Sequence, residues 1–167
     1  MYALRTKGFT LIELMVTIAV LAILLAIAFP SFQGSMRSNR LATTTNEVLA
    51  SVALARSEGL RSRGHGAICP SADGLTCGVD WNEGWIVWSD TDDSSAVDGD
   101  EFVVRYVQGH PRLAVSGSAD SLAFDARGRA VGGAVTIGLK PDDKETPARC
   151  ISITATGQTK VKKEACT

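Results

Sequence analysis

The chain has 167 residues, 17 of them Lys or Arg and 18 Asp or Glu, for a formal net charge of −1 at pH 7. That length suits one soluble domain plus a single long helix, and the near balance of charge argues against general nucleic-acid affinity while leaving room for a local basic patch. The 16 glycines, with few long helical patterns after residue 64, predict a turn-rich β domain.

The first organised stretch is Lys7-Gly8-Phe9-Thr10-Leu11-Ile12-Glu13 and the apolar run behind it, which reaches Phe29. Between Phe9 and Phe29 lie 21 residues, of which Glu13 alone is ionisable. As a helix such a run is about 31 Å long, the thickness of a bilayer's hydrocarbon core. Arg5 and Lys7 precede it and are expected to stay cytoplasmic by the positive-inside bias. A secretory signal would carry a small-residue cleavage site after the run, but Phe29-Pro30-Ser31-Phe32 offers none, and the small residue, Gly8, stands before it. A carboxylate inside a membrane span costs about 3 kcal/mol near the centre, so Glu13 reads as functional unless it snorkels to the interface.

Lys7-Gly8-Phe9-Thr10-Leu11-Ile12-Glu13-Leu14 resembles the processing site of type IV pilins and type II secretion pseudopilins. The resemblance implies that a prepilin peptidase cuts between Gly8 and Phe9, and that the new amino terminus at Phe9 is methylated. Removing residues 1–8 takes Arg5 and Lys7 away and leaves 15 basic against 18 acidic residues. The positive amine of Phe9 and the carboxylate of Glu13 can then satisfy one another across neighbouring subunits, a pairing better understood as a registry device than as net stabilisation. Glu13 is thus expected to be a docking residue.

Pro30 is expected to kink the helix or locally open it without ending it. From 31 to about 61 the pattern turns amphipathic: Leu41, Val48, Val52 and Ala55 follow spacings of seven, four and three, widened by Leu49 and Leu60. Arg37, Arg40, Glu47, Arg56, Glu58 and Arg61 fall largely around that stripe. One helix of about fifty residues is predicted, its outer half laid on a β-sheet, a length that marks a filament spine. Gly64-His65-Gly66 closes it, with His65 a turn residue and not a ligand.

Beyond it, Ala67-Ile68-Cys69-Pro70 reads as a short strand, Gly84-Trp85-Ile86-Val87-Trp88-Ser89 as a buried strand, and 101–107 as its antiparallel partner. Further strands are expected at 111–115, 121–125, 133–139, 149–155 and 158–162. Trp85 and Trp88 differ by three and so point to opposite faces, one expected in the core and the other at the surface or a subunit contact. Trp81 is expected to pack in the core as well.

The 4 cysteines lie in the part expected outside the cytoplasm, where an oxidising compartment favours disulfides. Three pairings are possible; the spacings favour Cys69 with Cys77 as a local loop and Cys150 with Cys166 as a C-terminal staple. No Cys-x-x-Cys is present and His65 and His110 make no ligand spacing, so metal through cysteine is not expected. Within Asp90–Glu101, the residues Asp90, Asp92, Ser94, Asp98 and Glu101 fall at positions one, three, five, nine and twelve of a calcium loop. Ser95 stands where that loop needs glycine, and the flanks read as strands, so a solvated hairpin tip is the competing description. Thr159-Lys160-Val161-Lys162-Lys163 would place Lys160 and Lys162 on one face of a last strand. With Lys163 and Arg149 they could bind DNA phosphates, or simply guard an edge strand against aggregation.

Asn46 to Arg61 with Ala55-Arg56-Ser57-Glu58, then Cys69-Pro70-Ser71 and Asp73-Gly74, Trp81 followed by Gly84-Trp85-Ile86-Val87, Phe124-Asp125 with Gly128, and the Gly157 turn resemble the GspH/FimT group of minor pilins and pseudopilins, FimU-like members included. The resemblance spans nearly the whole chain and implies an α+β, pilin-like fold: a long N-terminal helix, half membrane and half amphipathic, packed on an antiparallel β head. The implied segments are a leader at 1–8, a transmembrane and filament-core helix at 9–30, its amphipathic continuation at 31–63 and a periplasmic head at 64–167.

The implied protein is a structural subunit without a cofactor, since no nucleophile elbow, phosphate-cradling loop or paired carboxylates are found. It would be a minor pilin that primes or caps a type IV pilus, its partners other pilins, the prepilin peptidase and the inner-membrane assembly platform. The alternatives are a DNA-binding minor pilin of natural transformation and a minor pseudopilin of type II secretion. In the DNA-uptake members a C-terminal basic segment follows the glycine; here Gln158 and lysines stand where arginines are usual. The expected location is the inner membrane, single-pass with the head in the periplasm, then the pilus or pseudopilus.

Overall fold

A computed structural model describes residues 8–62, 66–91, 94, 96–98, 101–143 and 146–166, with the side chains of Pro30 and Ser31 set aside. His65 and Asp92, both singled out from the sequence, lie outside the described residues. The element order is α1 (Leu11–Arg61), β1 (Gly66–Pro70), β2 (Gly84–Ser89), β3 (Val103–Gln108), β4 (Leu113–Gly117), β5 (Leu122–Phe124), β6 (Val135–Pro141), β7 (Arg149–Ile153) and β8 (Thr159–Lys162). Contacts divide the chain into two compact units, Met1–Ser38 and Asn39–Thr167.

In the first unit, every residue from Leu11 to Phe29 is helical and exposed. Thr10 caps this end: its hydroxyl accepts from the Glu13 N–H at 3.3 Å, and its carbonyl accepts from the Leu14 N–H at 3.2 Å. This is the Thr-x-x-Glu spacing of a capping box, with Glu13 at the third helical position where the positive end of the helix dipole favours a carboxylate. The helix is long and apolar enough to cross a membrane. It carries on through Pro30 as α-helix.

The second unit holds two four-stranded sheets, ordered β3-β2-β1-β5 and β4-β6-β7-β8, and every pairing is antiparallel. β5 leaves its sequence neighbours and joins the first sheet. Leu41, Val48, Val52 and Ala55 of α1 are all buried, in one cluster with Ile68, Trp85, Val87, Leu122 and Phe124 of the first sheet and Val115, Ile137, Leu139, Ile151 and Ile153 of the second. The seven-four-three spacing thus does mark the packed stripe. Trp85 donates its indole N–H to the buried Ser51 hydroxyl at 2.9 Å, which satisfies a polar group inside that cluster.

The expectation that one of Trp85 and Trp88 faces the surface or a subunit is wrong: both are fully buried. They do point to opposite faces of β2. Trp88 joins Ala67, Cys69 and Ile86 in a second cluster, closed by Cys77, Val97, Val103 and Ala123. The disulfide loop and the acidic loop therefore cover the back of the first sheet, which gives β1 and β2 their uninterrupted burial. Trp81 is also buried, its indole N–H donating to the Ala119 carbonyl at 3.2 Å.

Two glycines set how closely helix and sheet approach. A Cβ on Gly66 would lie 1.9 Å from the Ala55 carbonyl oxygen, and one on Gly59 would lie 2.7 Å from the Phe124 carbonyl oxygen. Both obstacles are backbone, which cannot swing aside. Gly66→Ala is expected to lower stability in urea by about 3 kcal/mol, in the range of severe overpacking. Ser51→Ala is expected to cost less, about 1–2 kcal/mol, by leaving the Trp85 N–H without its acceptor. A Gly66→Ala midpoint equal to that of the unaltered chain would refute the close-packing account.

Candidate functional site

The N-terminal segment gathers the residues the sequence marked for processing and docking. Gly8 and Phe9 precede the first turn, Phe9 is 80% exposed, and Glu13 is exposed within that turn. Thr10 was not singled out in the sequence, although the Thr-x-x-Glu spacing is the signal for its role. Its cap fixes where the helix begins and hence where Glu13 stands relative to Phe9. The chemistry available here is one carboxylate amid exposed apolar side chains, suited to pairing with a cation.

The structure joins Cys69 to Cys77 with Cα atoms 5.7 Å apart, and Cys150 to Cys166 with Cα atoms 5.0 Å apart. Inside the first loop Asp73 is the organising residue. Its carboxylate accepts from the Thr76 N–H at 2.9 Å, the Leu75 N–H at 2.8 Å, the Thr76 hydroxyl at 2.8 Å and the Ser71 hydroxyl at 3.1 Å. Gly74 adopts φ 74°, and Tyr106 closes over it, donating its hydroxyl to the Ala72 carbonyl at 3.1 Å. The result is a built loop that presents Leu75 to solvent.

The described carboxylates of the acidic loop do not converge as a cation site. Glu101, expected at position twelve, turns its carboxylate onto the loop's own backbone: one oxygen accepts from the Thr91 N–H and hydroxyl and the other from the Asp98 N–H at 3.4 Å. Asp90 is buried at the end of β2. Among the described residues no group of three or more His, Cys, Asp or Glu side chains could hold a metal ion. Val97, apolar in an otherwise polar stretch, packs toward Trp88, so part of this loop serves as cover for the sheet. His110 accepts the Arg112 N–H at its Nδ1.

The basic tail is only partly brought together. Lys160 and Lys162 do share a face of β8, opposite Ser152 and Cys150 of β7. Arg149 alternates with Cys150 and so belongs to the other face, that of Ile151 and Ile153. Lys162 is ion-paired with Glu164 at 2.9 Å. Arg149 therefore does not join Lys160 and Lys162 on one face, as a single DNA-binding patch would require. What the sequence reading missed here is Arg56, which donates from Nη1 to the Gly157 carbonyl at 2.9 Å and ties the turn before β8 to α1. Gly157 has φ 77°, and a Cβ there would meet the Gly128 carbonyl oxygen at 2.2 Å. In the facing turn Asp125 sits below the ordinary carboxylate range, because its oxygens accept the Arg129 N–H, the Arg129 guanidinium and the Arg127 N–H.

The hydrogen bonds to Asp73, from Thr76 N–H first and then Leu75 N–H, hold its carboxyl well below its usual pKa. A depressed pKa means that the ionised form is favoured by folding, so the contribution is full above the ordinary carboxylate range and fades as pH falls through the folded value. The Leu75 and Thr76 amides are accordingly expected to stay slow to exchange through mildly acidic pH. Asp73→Ala should speed their exchange at neutral pH while leaving the Trp85 cluster protected. Equal exchange in the two proteins would show that the disulfide alone orders the loop.

Comparison with known proteins adds the family. The model of the type II transport protein GspH matches residues 44–157, and that of the prokaryotic N-terminal methylation motif matches residues 4–29. No curated protein shows significant sequence similarity to the chain. The fold is similar to that of the type IV minor pilin FimU of Pseudomonas aeruginosa strain PAO1, with 22% identity, a TM-score of 0.60, and 74% of this chain and 89% of that one covered. It is also similar to the minor pseudopilin EpsH from the type 2 secretion system of Vibrio cholerae, with 11% identity, a TM-score of 0.52, and 73% and 95% covered. The fold is thus pilin-like, a long N-terminal helix followed by antiparallel β-sheets, as the sequence implied. With the GspH model matched over most of its length and the methylation motif at its head, this chain belongs to the GspH family.

Proposed function

We propose that the chain is a minor pilin, a structural and non-enzymatic subunit that takes part in priming or capping a type IV pilus. The observation that carries this reading is α1 itself. From Leu11 to Phe29 it exposes apolar residues throughout, with Glu13 as the one ionisable group, and its second half is built into the head. Such a first half finds its surroundings in a bilayer before assembly and among other apolar helices afterwards. Processing after Gly8 frees the amine of Phe9, and Glu13 of a neighbouring subunit receives it. The prepilin peptidase and the inner-membrane platform are the partners this sequence of events requires. The head stands in the periplasm, where both disulfides are stable.

A second reading, a minor pseudopilin of type II secretion, is supported by the matched family's description as a type II transport protein and by the fold likeness to EpsH. DNA binding for uptake has less support, because Arg149 lies on the other face from Lys160 and Lys162, and Lys162 already holds Glu164.

The test is made in cells that carry the gene on a plasmid over a chromosomal deletion. Deletion is expected to abolish sheared surface pili while the major pilin is still made, and the intact gene to restore them. Gly8→Val should leave the longer precursor in the membrane. Glu13→Ala should be processed normally yet restore few or no pili, because the free amine finds no carboxylate. Normal piliation in the deletion strain would overturn the priming role, and the same strain assayed for exoprotein release then decides for or against secretion.

A further inference from the structure

β8 ends the second sheet, and its backbone register shows which groups it leaves open. Thr154 N–H donates to the Gln158 carbonyl at 2.9 Å, so that pair bonds across the turn. The alternation of an antiparallel ladder then directs the N–H and C=O of Lys160 and Lys162 toward Ser152 and Cys150, and those of Thr159 and Val161 outward. The other sheet edges differ. On β4 the Val115 N–H donates to the Asn82 side chain at 2.8 Å. Beside β5 the Ala123 carbonyl accepts from Val131 and Phe124 bridges to Ala130. β3 is paired through a register shift at Val87/Trp88, and such irregularity discourages edge pairing. Among the described residues β8 is thus the regular strand with an open edge.

Next to that edge lies an apolar groove of about 280 Å³. Val52, Ala53 and Leu60 of α1 line it on one side, Gly157 and Thr159 on the other, with Arg56 bridging. Leu60 is 53% exposed and Val161, on the same face of β8 as Thr159, is 38% exposed. The opposite face carries Lys160 and Lys162. Lysines alone would describe an edge guarded against pairing. A guarded edge has no need of apolar seats beside it. Arg56 and the Cys150–Cys166 bond hold both ends of β8 in place, so the edge is preorganised.

We propose that β8 is a docking edge to which an extended segment of a neighbouring subunit adds as the next strand, its residues alternating between apolar and acidic. The apolar side chains seat on Val161, Leu60 and the groove, and the acidic ones meet Lys160 and Lys162 on the other face. The inference rests on the filament-subunit reading for the source of the segment and on the geometry of β8 for its chemistry.

The purified full chain in detergent is titrated with a short labelled peptide alternating valine and glutamate, beside a valine–lysine control, with anisotropy and hydrogen exchange as readouts. The acidic peptide is expected to bind and the control not, with slowed exchange at the Thr159 and Val161 amides. Val161→Pro removes an outward N–H that the sheet itself does not use, a place where proline is tolerated, and should weaken binding about tenfold. Lys160→Glu with Lys162→Glu alters exposed side chains only and should reverse the preference toward the lysine peptide, which decides the matter even if the proline variant fails to fold. No binding of the acidic peptide, or binding indifferent to both variants, overturns the proposal. So does a DNA duplex that protects these amides where the peptide does not. Because none of these readouts needs a filament, such a failure leaves the piliation test of Gly8 and Glu13 standing.

Discussion

The head depends on a backbone-to-backbone approach between α1 and the first sheet. Gly66 begins β1 with its Cα against the Ala55 carbonyl, and Gly59 meets Phe124 at the end of β5. No side chain fits at either contact. This closeness lets Val48, Val52 and Ala55 reach strands of both sheets at once, so one helix stripe unites residues from the two sheets into one core. Packed interiors tolerate little added volume, so the contact leaves little freedom in where the helix lies.

Around that contact the remaining parts fall into supporting roles. The first sheet has a second apolar face, and two irregular segments close it. The Cys69–Cys77 loop is shaped by Asp73 through four hydrogen bonds, and the acidic loop contributes Val97 over Trp88. Glu101, which looks like a ligand in the sequence, thus bonds to its own loop, as Asp73 does to the disulfide loop. Arg56 performs the matching task for the second sheet by holding the Gly157 turn. Such charged groups at turns order loops which carry too little apolar area to order themselves.

The two units answer to different solvents. The second unit buries a large apolar core, whereas every residue of the segment from Leu11 to Phe29 is exposed. The head is suited to water, and the exposed apolar segment to lipid or to other apolar helices. Membership of the GspH family and the methylation motif fit this division, and the assembled state is where the exposed segment would become buried.

Much of this was legible in the sequence because it rests on local patterning. The 21-residue apolar run, the Leu41–Val48–Val52–Ala55 stripe and the strand at Gly84–Ser89 each follow from residue period and length alone, while the motif around Gly8 and Phe9 was legible through its resemblance to a known processing site. The tertiary structure decided what depends on neighbours distant in sequence. It buried Trp88 because two loops cover a face that alternation alone could only call the other side. It separated Arg149 from Lys160 and Lys162, since the face on which a residue lies depends on the pairing of β7 with β8. It also gave Arg56 the Gly157 carbonyl, a partner 101 residues away. Period fixes which residues share a face of an element; only packing determines what that face meets.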